Sequence, residues 1–271
     1  MARQPKIMGI LNVTPDSFSD GGNYSTQTSA LAQAELMIGS GVDIIDIGGE
    51  STRPGADVVP VDQELKRVLP IIKKLAALIK KKNAGVSISI DTRKSSVARE
   101  AIAAGASVWN DVSALTFDED SVDVAAELGC PVILMHAIGT PKTMQDDPSY
   151  EDVIGEIKLW LATRIAVAVA AGVKSENITI DPGIGFGKRL EDNLELMGRL
   201  RAFKELEYPI LLGASRKSFI GKIDGSEANA RLGGSIAAAI WSAEQGADII
   251  RVHDVPETIQ ALKVWSTIKG E

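Results

Sequence analysis

Eight apolar runs of this chain each end in, or just before, a polar residue able to do chemistry. They are Ile7–Leu11 with Asn12, Val42–Ile45 with Asp46, Val86–Ile90 with Asp91, and Ser107–Trp109 with Asn110. Then come Val132–Met135 with His136, Ile178–Ile180 with Asp181, Ile210–Ala214 with Ser215, and Ile249–Val252 with His253. Ser215-Arg216-Lys217, Arg251 and His253 close the last two runs, and Arg53 stands in an earlier loop. Such a set suits a phosphorylated or pyrophosphorylated ligand. The bland alternative is that these cations pair with neighbouring carboxylates. Asp91, Asn110 and Asp181 form an opposite side. An ionised carboxylate accepts two parallel hydrogen bonds and so fits a planar N–H/NH₂ edge, whereas Asn both donates and accepts. With Lys217 on a ring carbonyl, the group matches a guanine-like heterocycle. Two buried carboxylates could equally hold a metal or act as acid and base.

These residues are scattered, so the fold must bring them together. Between the runs lie segments with helical spacing, for example Leu31, Ala34, Met37 and Ile38. A weak repeat recurs at 40–48, 104–112, 128–136, 171–181 and 245–253. In each, Gly41, Gly105, Gly129, Gly172 or Gly246 caps a helix before a β-rich run. Eight strand-then-helix units predict a single (β/α)8 TIM barrel over residues 1–271, with its active site at the C-terminal ends of the strands. The ends of strands seven and eight are a frequent phosphate site in such barrels, and a helix opening within 231–241 could add free N–H groups. The rival is a doubly wound open sheet, which needs a topological switch point and usually fewer strands.

Composition narrows the function classes. The 271 residues are 45% hydrophobic and 24% charged, with a net charge of −7, which argues against nucleic-acid or anionic-membrane partners. One cysteine, Cys130, cannot form an intrachain disulfide and is expected to be a buried thiol. No apolar stretch has transmembrane length and no signal peptide precedes the first strand, so a cytoplasmic protein is expected. The Lys-rich segment 73–82 keeps Leu75, Leu78 and Ile79 on one face and predicts a solvated outer helix, kinked or divided at Pro70.

Other motifs are less informative. The glycines of 181–187 (DPGIGFG) permit close backbone approach, but they follow a strand-ending Asp and do not make a dinucleotide fingerprint. There is no Walker loop or nucleophile elbow, and two histidines without zinc spacing give no zinc site. Asn12 is a candidate single protein ligand for Mg²⁺, the rest coming from water and phosphate, although Asn before Thr-Pro is also a common turn residue. The polar, Gly/Pro-rich segments 14–25 and 48–56 are candidate binding or gating loops.

Taken in order, MGILNVTPDSFSDGG (8–22), IIDIGGESTRPGA (44–56), IDTRKSSVA (90–98), ND (110–111), LMH…MQ (134–145), DPGIGFGK (181–188), GASRKSFIG (213–221) and RVHDV (251–255) resemble the dihydropteroate synthase family. One position departs: Ala137 stands where that family usually has Met. The resemblance implies condensation of 6-hydroxymethyl-7,8-dihydropterin pyrophosphate with p-aminobenzoate in folate synthesis, with Mg²⁺ required and a homodimer as the usual assembly. It implies Asp91, Asn110, Asp181 and Lys217 at the pterin, and Asn12, Arg53, Arg251 and His253 at the pyrophosphate, with Asn12 at the metal. Thr52, Pro54, Phe186, Ser215 and Lys217 would border p-aminobenzoate, and Asp91, Lys217 and Arg53 would be catalytic. The family is a target of sulfonamides, which mimic p-aminobenzoate. Pyrophosphate would leave, Asp91 would stabilise the pterin cation, and the arylamine would attack while loops 14–25 and 48–56 exclude water. Two rivals share the pterin site: a methyltetrahydrofolate-dependent methyltransferase, which needs no anion cluster, and a non-catalytic pterin-binding or scaffold protein.

Overall fold

The computed structural model describes residues 4–14, 22–53, 55–140, 142–144 and 146–270. Eight parallel strands run β1 Lys6–Asn12, β2 Ile44–Gly48, β3 Ser87–Asp91, β4 Val108–Asp111, β5 Val132–Met135, β6 Ile178–Asp181, β7 Leu211–Leu212 and β8 Ile249–Val252. They pair in the order β6-β5-β4-β3-β2-β1-β8-β7, and a parallel bridge from Ile180 to Ile210 links β6 to the start of β7. The sheet therefore returns on itself as a (β/α)8 barrel, and the open-sheet alternative is set aside.

Around it lie α1 Gly22–Ser40, α2 Val61–Lys82, α3 Ser95–Ala103, α4 Ser121–Leu128, α5 Val153–Ala170 and α6 Leu190–Gly198. The seventh crossover holds two helices, α7 Ser218–Asp224 and α8 Leu232–Glu244, and α9 Val255–Lys269 follows β8. All five repeat glycines have positive φ, from 60° to 118°, the left-handed region in which a side chain is costly. Pro70 does not divide α2, which runs on for 22 residues. The lost backbone donor is outweighed by an apolar face, with Val68, Ile71, Ile72 and Leu75 all buried. The lysines of 73–82 face solvent as expected, and Cys130 is buried.

Two apolar cores result. The larger lies between sheet and helices, and the smaller fills the barrel with Met8, Ile44, Val108, Ile133 and Leu211, against Ile249. Side chains alternate along a strand, so the residue two positions after each inner residue also faces inward. Ile44 is thus followed by Asp46, Val108 by Asn110, Ile133 by Met135, Leu211 by Gly213 and Ile249 by Arg251. The apolar plug and the polar mouth are successive layers of one pattern.

Candidate active site

Asp91, Asn110, Met135, Asp181, Ile184, Gly213, Lys217 and Arg251 line one pocket at the C-terminal mouth, bordered by Thr52 and Phe186. Strands β3, β4, β6 and β8 deliver the polar groups, and Lys217 arrives from the turn after β7. That turn is strained: Arg216 has φ of 57°, a left-handed conformation costing about 1–2 kcal/mol for a residue with a side chain. Its backbone N–H donates to Ser235 Oγ at 2.8 Å, and its guanidinium pairs with Asp254. Arg216 thus takes the bland alternative, holding the turn while Lys217 faces the pocket.

Arg251 sits between two carboxylates. Its Nε donates to Asp46 Oδ2 and its Nη2 to Asp91 Oδ2, both at 2.6 Å. Asn110 Nδ2 donates to the same Asp46 oxygen at 3.0 Å. Asp46 is fully buried and ties two site residues together, yet the sequence reading gave it no role in the site. The signal was present: an acid inside an apolar run, two residues after an inner-core isoleucine. The two bonds leave three of Arg251's five N–H groups for another acceptor.

Burial in the mouth shifts several acids and bases. Burial raises the Asp91 carboxyl, with Arg251 opposing and Asp46 adding repulsion. Burial likewise raises Asp181, against a 2.7 Å hydrogen bond from the Gly183 N–H. Lys217 is pulled down by burial while Asp181 works the other way. Its ammonium lies 4.0 Å from the centre of the Phe186 ring, a cation–π contact. Burial, then Arg251 and Arg216, hold His253 at about 4, so it is neutral at pH 7. His253 Nδ1 shares a 3.0 Å hydrogen bond with Ser215 Oγ.

The other expected residues stand around this centre. Asn12 ends β1, in register with Gly48. A Cβ placed on Gly48 would meet Asn12 Oδ1 at 3.4 Å and Asp91 Oδ2 at 3.6 Å, so glycine leaves two oxygens facing one small space. Arg53 is exposed and lies close enough to influence His253. Pro54 and residues 15–21 of the first loop lie outside the described residues. The second loop is tied at its base: Glu50 accepts from Val59 N–H at 2.7 Å, Arg93 Nε at 2.9 Å and Lys94 Nζ at 2.7 Å. Ala137 lines an adjoining cleft, shared with Thr52, Arg93, Val112, Trp160 and Phe186.

Residues 8–253 match the family of pterin binding enzymes. The chain is 48% identical over 260 residues to the dihydropteroate synthase of Escherichia coli (strain K12), covering 96% of this chain and 90% of that one. It superposes on a Xanthomonas albilineans dihydropteroate synthase holding 4-aminobenzoic acid with a TM-score of 0.91, at 45% identity over 99% of this chain and 94% of that one. Another structure from that organism, in complex with 7,8-dihydropteroate, gives 0.88 at 41% identity, covering 100% and 96%. Likeness of this extent, over a barrel whose mouth gathers Asp91, Asn110, Asp181 and Lys217, places the chain in the dihydropteroate synthase family of transferases.

Proposed function

We propose that this barrel joins 6-hydroxymethyl-7,8-dihydropterin pyrophosphate to p-aminobenzoate, giving 7,8-dihydropteroate and pyrophosphate. The observation that carries the reading is the convergence of two carboxylates, an amide, an ammonium and a guanidinium in one pocket bordered by Phe186 and Thr52. Relatives holding 4-aminobenzoic acid and 7,8-dihydropteroate support the choice of ligands.

Asp181, Asn110 and Lys217 bind the polar edge of the pterin, and Asp91 lies beneath its reacting side. The three spare N–H groups of Arg251, neutral His253 and exposed Arg53 take the pyrophosphate. Among the described residues, no group of three His, Cys, Asp or Glu side chains could cage a metal. The space over Gly48 instead suits a hard cation held by Asn12 Oδ1, with water and phosphate oxygens completing its shell. Bound Mg²⁺ would supply charge neutralisation at the leaving pyrophosphate.

As the methylene C–O bond breaks, positive charge spreads into the dihydropterin, and ionised Asp91 stabilises it. The arylamine nitrogen then bonds to that carbon and loses its proton to solvent. Thr52, Pro54, Phe186, Ser215 and Lys217 border the arylamine, and loops 14–25 and 48–56 exclude competing water. No protein nucleophile is needed.

A homodimer, the usual assembly of the family, belongs to the same reading. So does a cytoplasmic location, supported by the absence among the described residues of any helix long and apolar enough to cross a membrane. Mass spectrometry of a reaction containing both substrates tests the function: the mass of dihydropteroate is expected, and its absence with a folded, pterin-binding protein would overturn the reading.

A further inference from the structure

Behind Phe186 lies a buried cation that the chemistry above does not use. Lys188 is 1% exposed, and among the described residues no carboxylate lies within ion-pair distance of its ammonium. Its Nζ stands 3.0 Å from His136 Nδ1, 2.9 Å from the Phe186 carbonyl oxygen and 3.5 Å from the His136 carbonyl oxygen. Three N–H donors thus meet three uncharged acceptors, the last weakly. Burying an ammonium with no carboxylate in direct contact is costly, and burial holds Lys188 down to about 7, with Asp181 opposing and Lys217 adding repulsion.

The acceptors join two strand ends. His136 follows β5, its N–H bonds the Asp181 carbonyl of β6 at 2.9 Å, and its ring packs edge-on to Trp160. The segment 182–187 is pressed onto it: a Cβ at Gly183 would fall 1.9 Å from the His136 carbonyl oxygen. The Tyr150 hydroxyl also donates to the Gly187 carbonyl at 2.8 Å. Lys188 therefore reaches back under the loop and grips the backbone of Phe186, the residue whose ring receives Lys217.

We infer that Lys188 is a positioning residue for the arylamine: by fixing the Phe186 backbone to the end of β5 it sets the ring against Lys217, touching neither substrate itself. This rests on the arylamine reading proposed above. Lys188→Met keeps a long, straight side chain without its donors. The Michaelis constant for p-aminobenzoate should rise about tenfold, the worth of one charge-assisted hydrogen bond. The dissociation constant for free 6-hydroxymethylpterin, by calorimetry, should stay within about twofold, as should kcat at saturating arylamine. Lys188→Gln, which retains a donor, should lie between. Should Lys188→Met fail to fold, Lys188→Gln decides alone. An unchanged arylamine constant in the folded variant, or equal losses for pterin and arylamine, would overturn the inference. A parent protein whose turnover ignores p-aminobenzoate would instead overturn the functional reading beneath it.

Discussion

Asp46 should matter more to this barrel than its lack of a direct place in the pocket lining suggests. Its Oδ2 accepts from Arg251 Nε at 2.6 Å and from Asn110 Nδ2 at 3.0 Å, with its side chain fully buried, while Oδ1 has no partner among the described residues. Asp46→Ala removes the shared acceptor and leaves part of a guanidinium and an amide unpaired. The charge-assisted bond is worth roughly 1.5–3 kcal/mol and the neutral one about 1 kcal/mol. A loss of about 2.5–4 kcal/mol is therefore expected, overlapping the range for breaking a buried ion pair. Asp46→Asn keeps an acceptor in the same place and loses only the charge, so about 1–2 kcal/mol is expected. It also removes a like charge that helps raise Asp91, so Asp91 should titrate at lower pH. Urea unfolding of both variants, followed by circular dichroism, measures the stabilities. A cost below about 1 kcal/mol for Asp46→Ala would refute the claim that this carboxylate holds Arg251 and Asn110 in place.

Three further outcomes are expected. Asp181→Ala strips a two-pronged acceptor from the pterin edge, so calorimetry should show affinity falling about 100-fold or more; unchanged affinity removes Asp181 from that role. His253 is held at about 4 when folded against 6.5 ordinarily, so between these values the unfolded chain binds the extra proton and the residue's contribution to stability falls as pH falls from 6.5 towards 4. Raised carboxyls such as Asp111, at about 6, act oppositely, so the test compares the protein with His253→Asn: the variant should gain relative stability on acidification, and parallel pH curves would contradict this. Chelation with EDTA should abolish turnover, restored by Mg²⁺, while free pterin binding is kept; turnover in EDTA would remove the metal from the account.

The barrel was legible because two periodicities are written plainly. Alternation fixes the inner face of each strand, and the repeat glycines mark where helices return to the sheet. The same alternation places Asp91, Asn110, Asp181 and Arg251 in one mouth. Asp46 was visible as a polar residue closing an apolar run, but its partners were not: Arg251 and Asn110 lie 205 and 64 positions away and meet it only once β2, β4 and β8 share one barrel. Long-range partners were also hidden. Nothing in the spacing tells that Arg216 spends its charge on Asp254, or that Lys188 turns back to His136, because these pairs form only when separate loops meet. Arg251 shows the limit most clearly: its type suggested an anion site, while its two carboxylate partners come from β2 and β3, strands that do not pair with its own β8.

The most direct test of the central claim is pyrophosphate release from 6-hydroxymethyl-7,8-dihydropterin pyrophosphate in Mg²⁺, with and without p-aminobenzoate. The account predicts release that depends on the arylamine and matches dihydropteroate formed, one for one. No release from a folded protein that binds pterin, or release without any dihydropteroate, would contradict it.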